Sequence, residues 1–533
     1  MSLLPTGNPS FKKMIENDYI YVDKTKYIYD LITNETSCFL SRPRRFGKSL
    51  LIGTMYELFS GNKDLFKGLD IENLYDDWDI SYPIILLDFM NISLKNSSNL
   101  KKSLNLFLDK IADNFNIILE DTDLIEVKFA DLLEKIHIKT GNEVVILIDE
   151  YDRPVLDTMH DKNLSKMNLE LIADFYGVIK SNNQHIRFVF MTGVSKFSKT
   201  SIFSGLNSIT DISLDNKYST ICGYTNDELL NSFDDYIIDV SEFNDMSKEE
   251  FLNEIRLNYD GYSWDGINFV YNPYSILHCF KRQTIDNYWF ETGTPTFLID
   301  LIKKEKKTDL IINTTSTNSS PYSNFSLKKL NLKNVLVQTG YLTIKKIIRK
   351  KGKIENYVLD IPNKEVEESL FDNLVSEYTE YPIDELDDII ADIYNNFKNK
   401  DNEGLNINLT TLFSNITYHQ HKDLKNEAYW HSMFSFLFKL LGFNVISERV
   451  TNIGRVDAVI DEKEFTCICE VKYGDDKTND ELIEEAINQI YEKKYYEPYL
   501  RKNNIFLVGI GFSNRTVKAK FFDLDYDKLE LNN

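Results

Sequence analysis

The chain alternates short apolar runs with stretches of helical period. Apolar runs at 19–22, 38–40, 84–89, 144–148 and 187–191 predict strands. Segments 26–32, with Thr25 as cap, the stretch after Ser49, 100–115 and 130–136 predict the helices between them. Apolar strands alternating with helices imply a parallel sheet buried on both faces. From 216 to 290 the pattern is helical, clearest at 227–233 and 248–257. Within it, 258–274 (NYDGYSWDGINFVYNPY) sets two Asp-Gly turns among aromatic residues, which predicts a hairpin. Such aromatics can stack nucleobases, although core packing is their commoner use.

The polar stretch NTTSTNSSPYSN opens a linker at 313–326. A helix at 327–339 ending at Gly340, then strands at 341–348 and 354–359 around Lys351-Gly352, give the helix-then-hairpin order of a winged-helix module. Acidic helices follow at 365–378 and 384–397. In a helix at 424–441, Tyr429, Met433, Phe436, Leu437 and Leu440 recur every three or four residues, with Gly442 placed to end it. Strands at 456–460 and 465–472 flank a four-residue loop, and a helix covers 480–496. The fold class is therefore α/β. The expected domains are a P-loop domain at 1–215, a helical and aromatic region at 216–312, the linker, a winged-helix module at 327–380 and a second α/β domain at 381–533.

Length and composition agree with several folded domains: 533 residues, 42% hydrophobic and 27% charged. No apolar stretch is long enough to span a membrane, and the first residues carry no basic, apolar leader, so a soluble cytoplasmic protein is expected. Five cysteines without a C-x-x-C pair read as free thiols in a reducing compartment. The net charge of −22 excludes a protein coated for nucleic acid, so any phosphate contact must come from a local basic patch. The best candidate is the hairpin with Lys345, Lys346, Arg349, Lys350, Lys351 and Lys353 against one acid, Glu355. A charged edge that blocks strand aggregation is the competing explanation.

Two constellations carry chemistry. The first is the stretch FLSRPRRFGKSLL, an apolar strand, a basic turn and then Gly47-Lys48-Ser49 at a helix start. A triphosphate needs that order: backbone N–H groups and the helix N-terminus face the phosphates, Lys48 reaches the outer two, and the Ser49 hydroxyl ligates magnesium. Arg45 and Gly47 belong to the same nucleotide-binding turn. A complete P-loop has Gly five positions before Gly47, where this chain has Arg42, so a chance Gly-Lys-Ser in a strand–helix turn is the plain alternative. The run VVILI ending in Asp149-Glu150 supplies the second half. Asp149 would hold magnesium through water, and Glu150 would polarise the water attacking the γ-phosphate. Thr192, ending another strand, is a candidate γ-phosphate sensor, or else a cap for the turn into Val194-Ser195-Lys196.

RPRRFGKSL, YVDKT, LIDEYDRPV, MTGVSKFSK and SIFSGLNSITDISLD together resemble the AAA-ATPase-like domain of bacterial proteins that also carry a C-terminal nuclease-like domain. In that family Arg at position 42 is usual. The resemblance implies ATP and magnesium at Lys48, Ser49 and Asp149, with Glu150 as catalytic base.

The second constellation is VDAVI followed by FTCICEVK. Pairing Ile460 with Phe465 sets Asp457 opposite Ile468. Glu470 and Lys472 share the face of Ile468, making Asp457 and Glu470 diagonal neighbours that could share a divalent ion. Magnesium or manganese there would ligate a phosphodiester oxygen and activate water, while Lys472 stabilises the hydroxide or the developing phosphorane charge. An Asp, then Glu-x-Lys on the next strand, resembles a PD-(D/E)XK nuclease of the restriction-endonuclease type. GRVDAVI, CICEVKY and INQIYEKKYY extend that likeness, which implies supporting roles for Glu427 and Gln489. The expected function is an ATP-binding, ATP-hydrolysing protein with a metal-dependent nuclease domain. DNA is favoured over RNA as partner, no membrane is involved, and a homo-oligomer is left open. The alternative is a nucleotide-dependent regulator whose nuclease-like domain binds nucleic acid or a partner without cutting.

Overall fold

The computed structural model describes residues 1–533 except 1, 8–9, 93–96, 160, 197–208, 290–314, 323–330, 380–382, 421–429, 431–433, 436, 440, 451–454, 503, 514–515 and 526–533. The chain divides into two compact units, Met1–Glu305 with Thr314–Val366, and Lys306–Asn313 with Glu367–Asn533. The whole is a mixed α/β protein, with a parallel sheet in the first unit and a second, mixed sheet in the other.

In the first unit β1 (Ser37–Ser41), β2 (Ile84–Asp88), β3 (Val144–Asp149), β4 (Ile186–Gly193) and β5 (Thr210–Asp211) form a parallel sheet in the order β2-β3-β4-β1-β5. Every residue of β1 and β3 is buried, which is why 38–40 and 144–148 within them read as apolar runs without alternation. Because β4 lies between β1 and β3, the C-terminal ends of these three strands bring residues far apart in sequence to one edge of the sheet.

Several local expectations change. Residues 19–22 form no strand; Tyr19 makes a single parallel bridge to Leu3. The helix Thr25–Asn34 is not capped by Thr25. Asp23 accepts the Thr25 N–H at 2.8 Å instead, while the Thr25 hydroxyl accepts from the Ile71 N–H. The aromatic stretch is not a regular hairpin. Tyr259 closes the helix Lys248–Tyr259, Pro273 opens the helix Pro273–Arg282, and only the bridges Tyr262–Val270 and Tyr224–Tyr271 lie between. The Asp265 carboxylate accepts the backbone N–H groups of Ile267 and Asn268, both at 2.8 Å, and so shapes this segment as a loop. Its aromatics go into the core: Tyr262 and Trp264 are buried. Thr315–Thr317, inside the expected linker, is a strand, β6, and Tyr322 is buried. β6 pairs antiparallel with β8 (Lys353–Asp360), which pairs with β7 (Thr343–Lys350) behind the helix Leu332–Thr339.

In the second unit β9 (Val445–Val450), β10 (Arg455–Asp461), β11 (Thr466–Tyr473), β12 (Ile505–Ser513) and β13 (Thr516–Asp523) form a sheet in the order β13-β12-β11-β10-β9. β11 and β12 are parallel and the other pairs antiparallel. The helix Asn479–Glu492, started by the Thr478–Glu481 capping box, makes the crossover between the parallel strands. It lies so close that a Cβ on Gly509 would come within 2.8 Å of the Ile483 carbonyl oxygen. Val459, Ile468, Ile487, Ile490 and Leu507 close the core beneath it. All five cysteines are buried free thiols.

The register of β10 and β11 differs from the expected one by one residue along each strand. Asp461 pairs with Thr466 and Ala458 with Cys469. Asp461 belongs to the strand because its carboxylate accepts from the Thr466 hydroxyl at 2.7 Å and from Lys502 at 2.9 Å. The shift preserves parity, so every side chain keeps its face. It moves Asp457 from a position diagonal to Glu470 to the place that continues the ladder opposite it.

Candidate functional site

The turn after β1 is built from within. Gly47 has φ +92°, a conformation that costs glycine nothing, and it opens the helix Lys48–Phe59. Lys48 donates to the carbonyls of Arg42 and Pro43, both at 3.0 Å, and lies 3.8 Å from Glu150 Oε1. Arg45 also has positive φ, +69°, and lays its guanidinium over the Tyr274 ring at 4.9 Å. Beyond the turn opens a cavity of about 590 Å³. Arg45, Lys48, Ser49 and Glu150 line its polar part, and Tyr224 and Leu277 are among its less polar walls. That size and division of polarity fit a nucleotide.

Ser49, Asp149 and Thr192 come together although about 140 residues separate the first from the last. The Ser49 hydroxyl donates to Asp149 Oδ2 at 2.5 Å, and the Thr192 hydroxyl donates to Asp149 Oδ1 at 2.6 Å. The Glu150 N–H donates to the same Oδ1 at 3.0 Å, with Glu150 at φ +52°. Ser49 and Asp149 are hard oxygen donors of the kind magnesium takes, so the residues present fit that ion. Thr192, fully buried, is turned toward Asp149. It stands at the C-terminal end of β4, beside β3, and its hydroxyl is engaged with the carboxylate.

Arg42, at the position where a complete P-loop has glycine, is wholly buried. Its guanidinium donates to the carbonyls of Ser41, Ser213 and Tyr218 and stacks 4.0 Å over the Trp264 ring. Burial lowers its pKa. Arg42 thus fastens the turn to segments some 170 to 220 residues away.

Sequence reasoning also passed over Asp152 and Glu365. Asp152 is fully buried and accepts the N–H groups of Val194 and Ser195 and the Ser195 hydroxyl, tying the end of β3 to the end of β4. Burial, with the charge of Glu150 nearby, raises its pKa. The signal was present in LIDEYDRPV, where the second acid follows the first pair. Glu365 accepts from the Ser275 hydroxyl at 2.8 Å and the Trp289 N–H at 2.8 Å, and burial pushes its carboxyl up to about 7. No local pattern marks it, because its partners lie 76 and 90 residues away.

In the second unit the acids lie on neighbouring strands. Asp457 Oδ2 accepts the Val471 N–H at 2.9 Å, which fixes the carboxylate at the β11 edge. Glu470 is nearly fully buried, and Lys472 lies on its face with Nζ 3.6 Å from Glu470 Oε1. Gln489, from the crossover helix, donates its amide to that same Oε1. Asp457, Glu470, Lys472 and Gln489 are therefore gathered by two strands and one helix. Two carboxylates with no sulfur or imidazole in the set suit magnesium or manganese. Glu427 lies outside the described residues.

A protein of Azotobacter chroococcum mcd 1, described as an uncharacterized protein in the vnfD 5′ region, is 33% identical over 520 residues, covering 96% of each chain. Residues 5–203 match the family described as Predicted AAA-ATPase, and residues 425–522 match the PD-(D/E)XK nuclease superfamily. The chain belongs to the AAA-ATPase-like proteins with a C-terminal PD-(D/E)XK nuclease-like domain. This AAA-ATPase-like protein carries its Lys48, Asp149 and Thr192 inside the first match and its Asp457, Glu470, Lys472 and Gln489 inside the second. Among the described residues no helix is long and apolar enough to cross a membrane.

Proposed function

We propose that this AAA-ATPase-like protein binds and hydrolyses ATP and that its C-terminal domain is a metal-dependent nuclease. The observation that carries the second half is the meeting of Asp457, Glu470, Lys472 and Gln489 around one carboxylate face. Asp457 and Glu470 would hold magnesium or manganese. A bound divalent ion polarises the phosphodiester and lowers the pKa of the attacking water. Gln489 fixes the Glu470 rotamer, and Lys472 sets a positive charge where the attacking oxygen and the developing phosphorane are negative. Asp457 is held by the Val471 N–H, so its carboxylate needs no reorganisation.

At the other site Lys48 exchanges its two carbonyl acceptors for the outer phosphates. Arg45 and Gly47 belong to the same phosphate-binding turn. Ser49 and Asp149 would hold magnesium, Thr192 orients Asp149, and Glu150 orients the attacking water. The nucleotide bound at Lys48 sets when the nuclease acts. The protein so understood works in the cytoplasm, with DNA ahead of RNA as substrate and no membrane partner.

The test incubates single- and double-stranded DNA and RNA with the full chain, magnesium or manganese, and with or without ATP. Cleavage is expected for the wild type and lost in Asp457→Ala; ATP hydrolysis is lost in Lys48→Ala. Cleavage that survives Asp457→Ala overturns the metal site. Nucleic-acid binding with no cleavage under any condition favours the regulatory alternative.

A further inference from the structure

The basic hairpin is built at a cost that edge protection does not explain. β7 is the edge strand of its sheet, and charges along it would suffice to discourage strand pairing. Yet the cations continue past the part backed by β6, which pairs only with Tyr357–Leu359. At the tip Lys350 pairs directly opposite Lys353, a like-charge cross-strand pair that destabilises a hairpin. The two residues between them, Lys351 and Gly352, have φ of +50° and +78°. Positive φ at both central positions is the pattern of a type I′ turn, where Asn or Gly is favoured and lysine is strained. The one acid near the tip, Glu355, lies 3.5 Å from Lys350. Arg349, Lys351 and Lys353 are exposed, as are Ile348 and Ile354 at 38% and 44%.

The base of the hairpin is hydrogen-bonded to its neighbours, whereas its tip is crowded with charge. The Thr343 hydroxyl accepts the Ser263 N–H at 2.7 Å and donates to the Ser263 carbonyl at 3.0 Å. Lys345 is spent on the Pro362 carbonyl at 2.9 Å. A Cβ on Gly266 would come within 2.9 Å of the Lys346 Cα, so the 261–266 loop lies tight against β7. That loop carries Trp264, which stacks on Arg42 and touches Phe46 of the nucleotide turn at 5.6 Å.

We infer that the tip formed by Arg349, Lys350, Lys351 and Lys353 is a binding site for the phosphodiester backbone of nucleic acid. A polyanion relieves the repulsion between Lys350 and Lys353 and gives the lysine at the strained turn an opposite charge to face. On a chain of net charge −22 a local cluster of this kind is what lets a polyanion approach. Contacts of this type position the strand without reading its sequence. The inference rests on the nuclease reading only for the choice of ligand.

The experiment measures anisotropy of a labelled 30-base-pair DNA with the full chain in EDTA, so that no cleavage enters, across a series of salt concentrations. Combining Lys350→Gln, Lys351→Asn and Lys353→Gln is expected to weaken binding at least tenfold. It should also flatten the slope of log affinity against log salt by roughly two to three, about 0.9 for each phosphate that is no longer neutralised. Lys351→Asn alone should raise the melting temperature while lowering affinity a few-fold, a pairing that simple misfolding cannot produce. Unchanged affinity and slope in the triple variant overturn the site. So does tighter binding to phosphatidylserine vesicles than to DNA. A wild type that binds DNA through the hairpin but cuts nothing with either metal refutes the nuclease and leaves this site standing. A wild type that cuts DNA, with hairpin variants of unaltered affinity, does the reverse.

Discussion

The two candidate sites of this protein are assembled by opposite strategies. The carboxylate site in the second unit draws on two adjacent strands and the helix that follows, all within residues 457–489, and each contact is short in sequence. The candidate nucleotide site draws on the turn after β1, the ends of β3 and β4, and walls from the 220s and 270s, so it exists only when a parallel sheet has brought them together. A site of the first kind is fixed by strand alternation. A site of the second kind needs buried polar fasteners such as Arg42, Asp152 and Glu365 to hold elements that share no local geometry.

The largest expected effect sharpens the separateness of the two sites. Lys472→Ala leaves Asp457 and its Val471 hydrogen bond in place and removes the cation facing Glu470. Cleavage should fall by about a thousandfold, the scale of losing one electrostatic stabiliser of a transition state. Affinity for ATP, measured by titration calorimetry, should not change. A matching loss of ATP affinity would show that Lys472 also supports nucleotide binding and is not confined to the carboxylate site.

The same contrast explains what could be read from the chain. Gly47-Lys48-Ser49 and Asp149-Glu150 were legible as strand ends because an apolar run that stops at a glycine turn or at paired acids marks where a buried strand leaves the sheet. Glu470 and Lys472 were placed on one face correctly because alternation is insensitive to a register shift of even total. The register itself was missed, since it depended on Asp461 finding Thr466 and Lys502, the latter 41 residues on. Thr192 could be placed at the end of its strand, but toward which neighbour its hydroxyl turns is decided by packing. Arg42 looked like a missing glycine. Its role depends on carbonyls at 213 and 218 and the ring of Trp264, which no spacing rule connects.

The next effect tests whether the fasteners belong to the nucleotide site alone. Glu365 holds Ser275, in the helix whose Tyr274 and Leu277 line the cavity, and Trp289, whose indole N–H donates to the Arg44 carbonyl. Its folded pKa of about 7 lies above the ordinary 4.5, so the folded state holds that proton more tightly than the unfolded state. The associated stability is present below pH 4.5 and is lost as pH rises through 7, about 3 kcal/mol in all. Glu365→Gln cannot titrate. Relative to it, the wild type should lose stability between pH 5 and 8 in urea unfolding followed by tryptophan fluorescence. Parallel pH curves for the two proteins would remove Glu365 from the set of titrating fasteners.

The smallest effect concerns Thr192 and separates orienting from sensing. Thr192→Val keeps the shape of the side chain and deletes one of the donors to Asp149, which retains the Ser49 hydroxyl and the Glu150 N–H. An orienting residue acts through the carboxylate. ATP turnover should then fall about tenfold, roughly 1.4 kcal/mol in the barrier, with ATP and ADP affinities altered alike. The magnesium concentration for half-maximal turnover should rise, and Thr192→Ser should restore both quantities because the hydroxyl returns. A residue that senses the γ-phosphate gives a different pattern, with ATP binding weakened and ADP binding untouched. The full burial of Thr192 and its 2.6 Å contact with Asp149 favour orientation. In a site assembled from distant segments, the Ser49 hydroxyl ties the helix after β1 to Asp149 and the buried Thr192 hydroxyl ties the central strand to the same acid, so each oxygen of the carboxylate is held from a different segment.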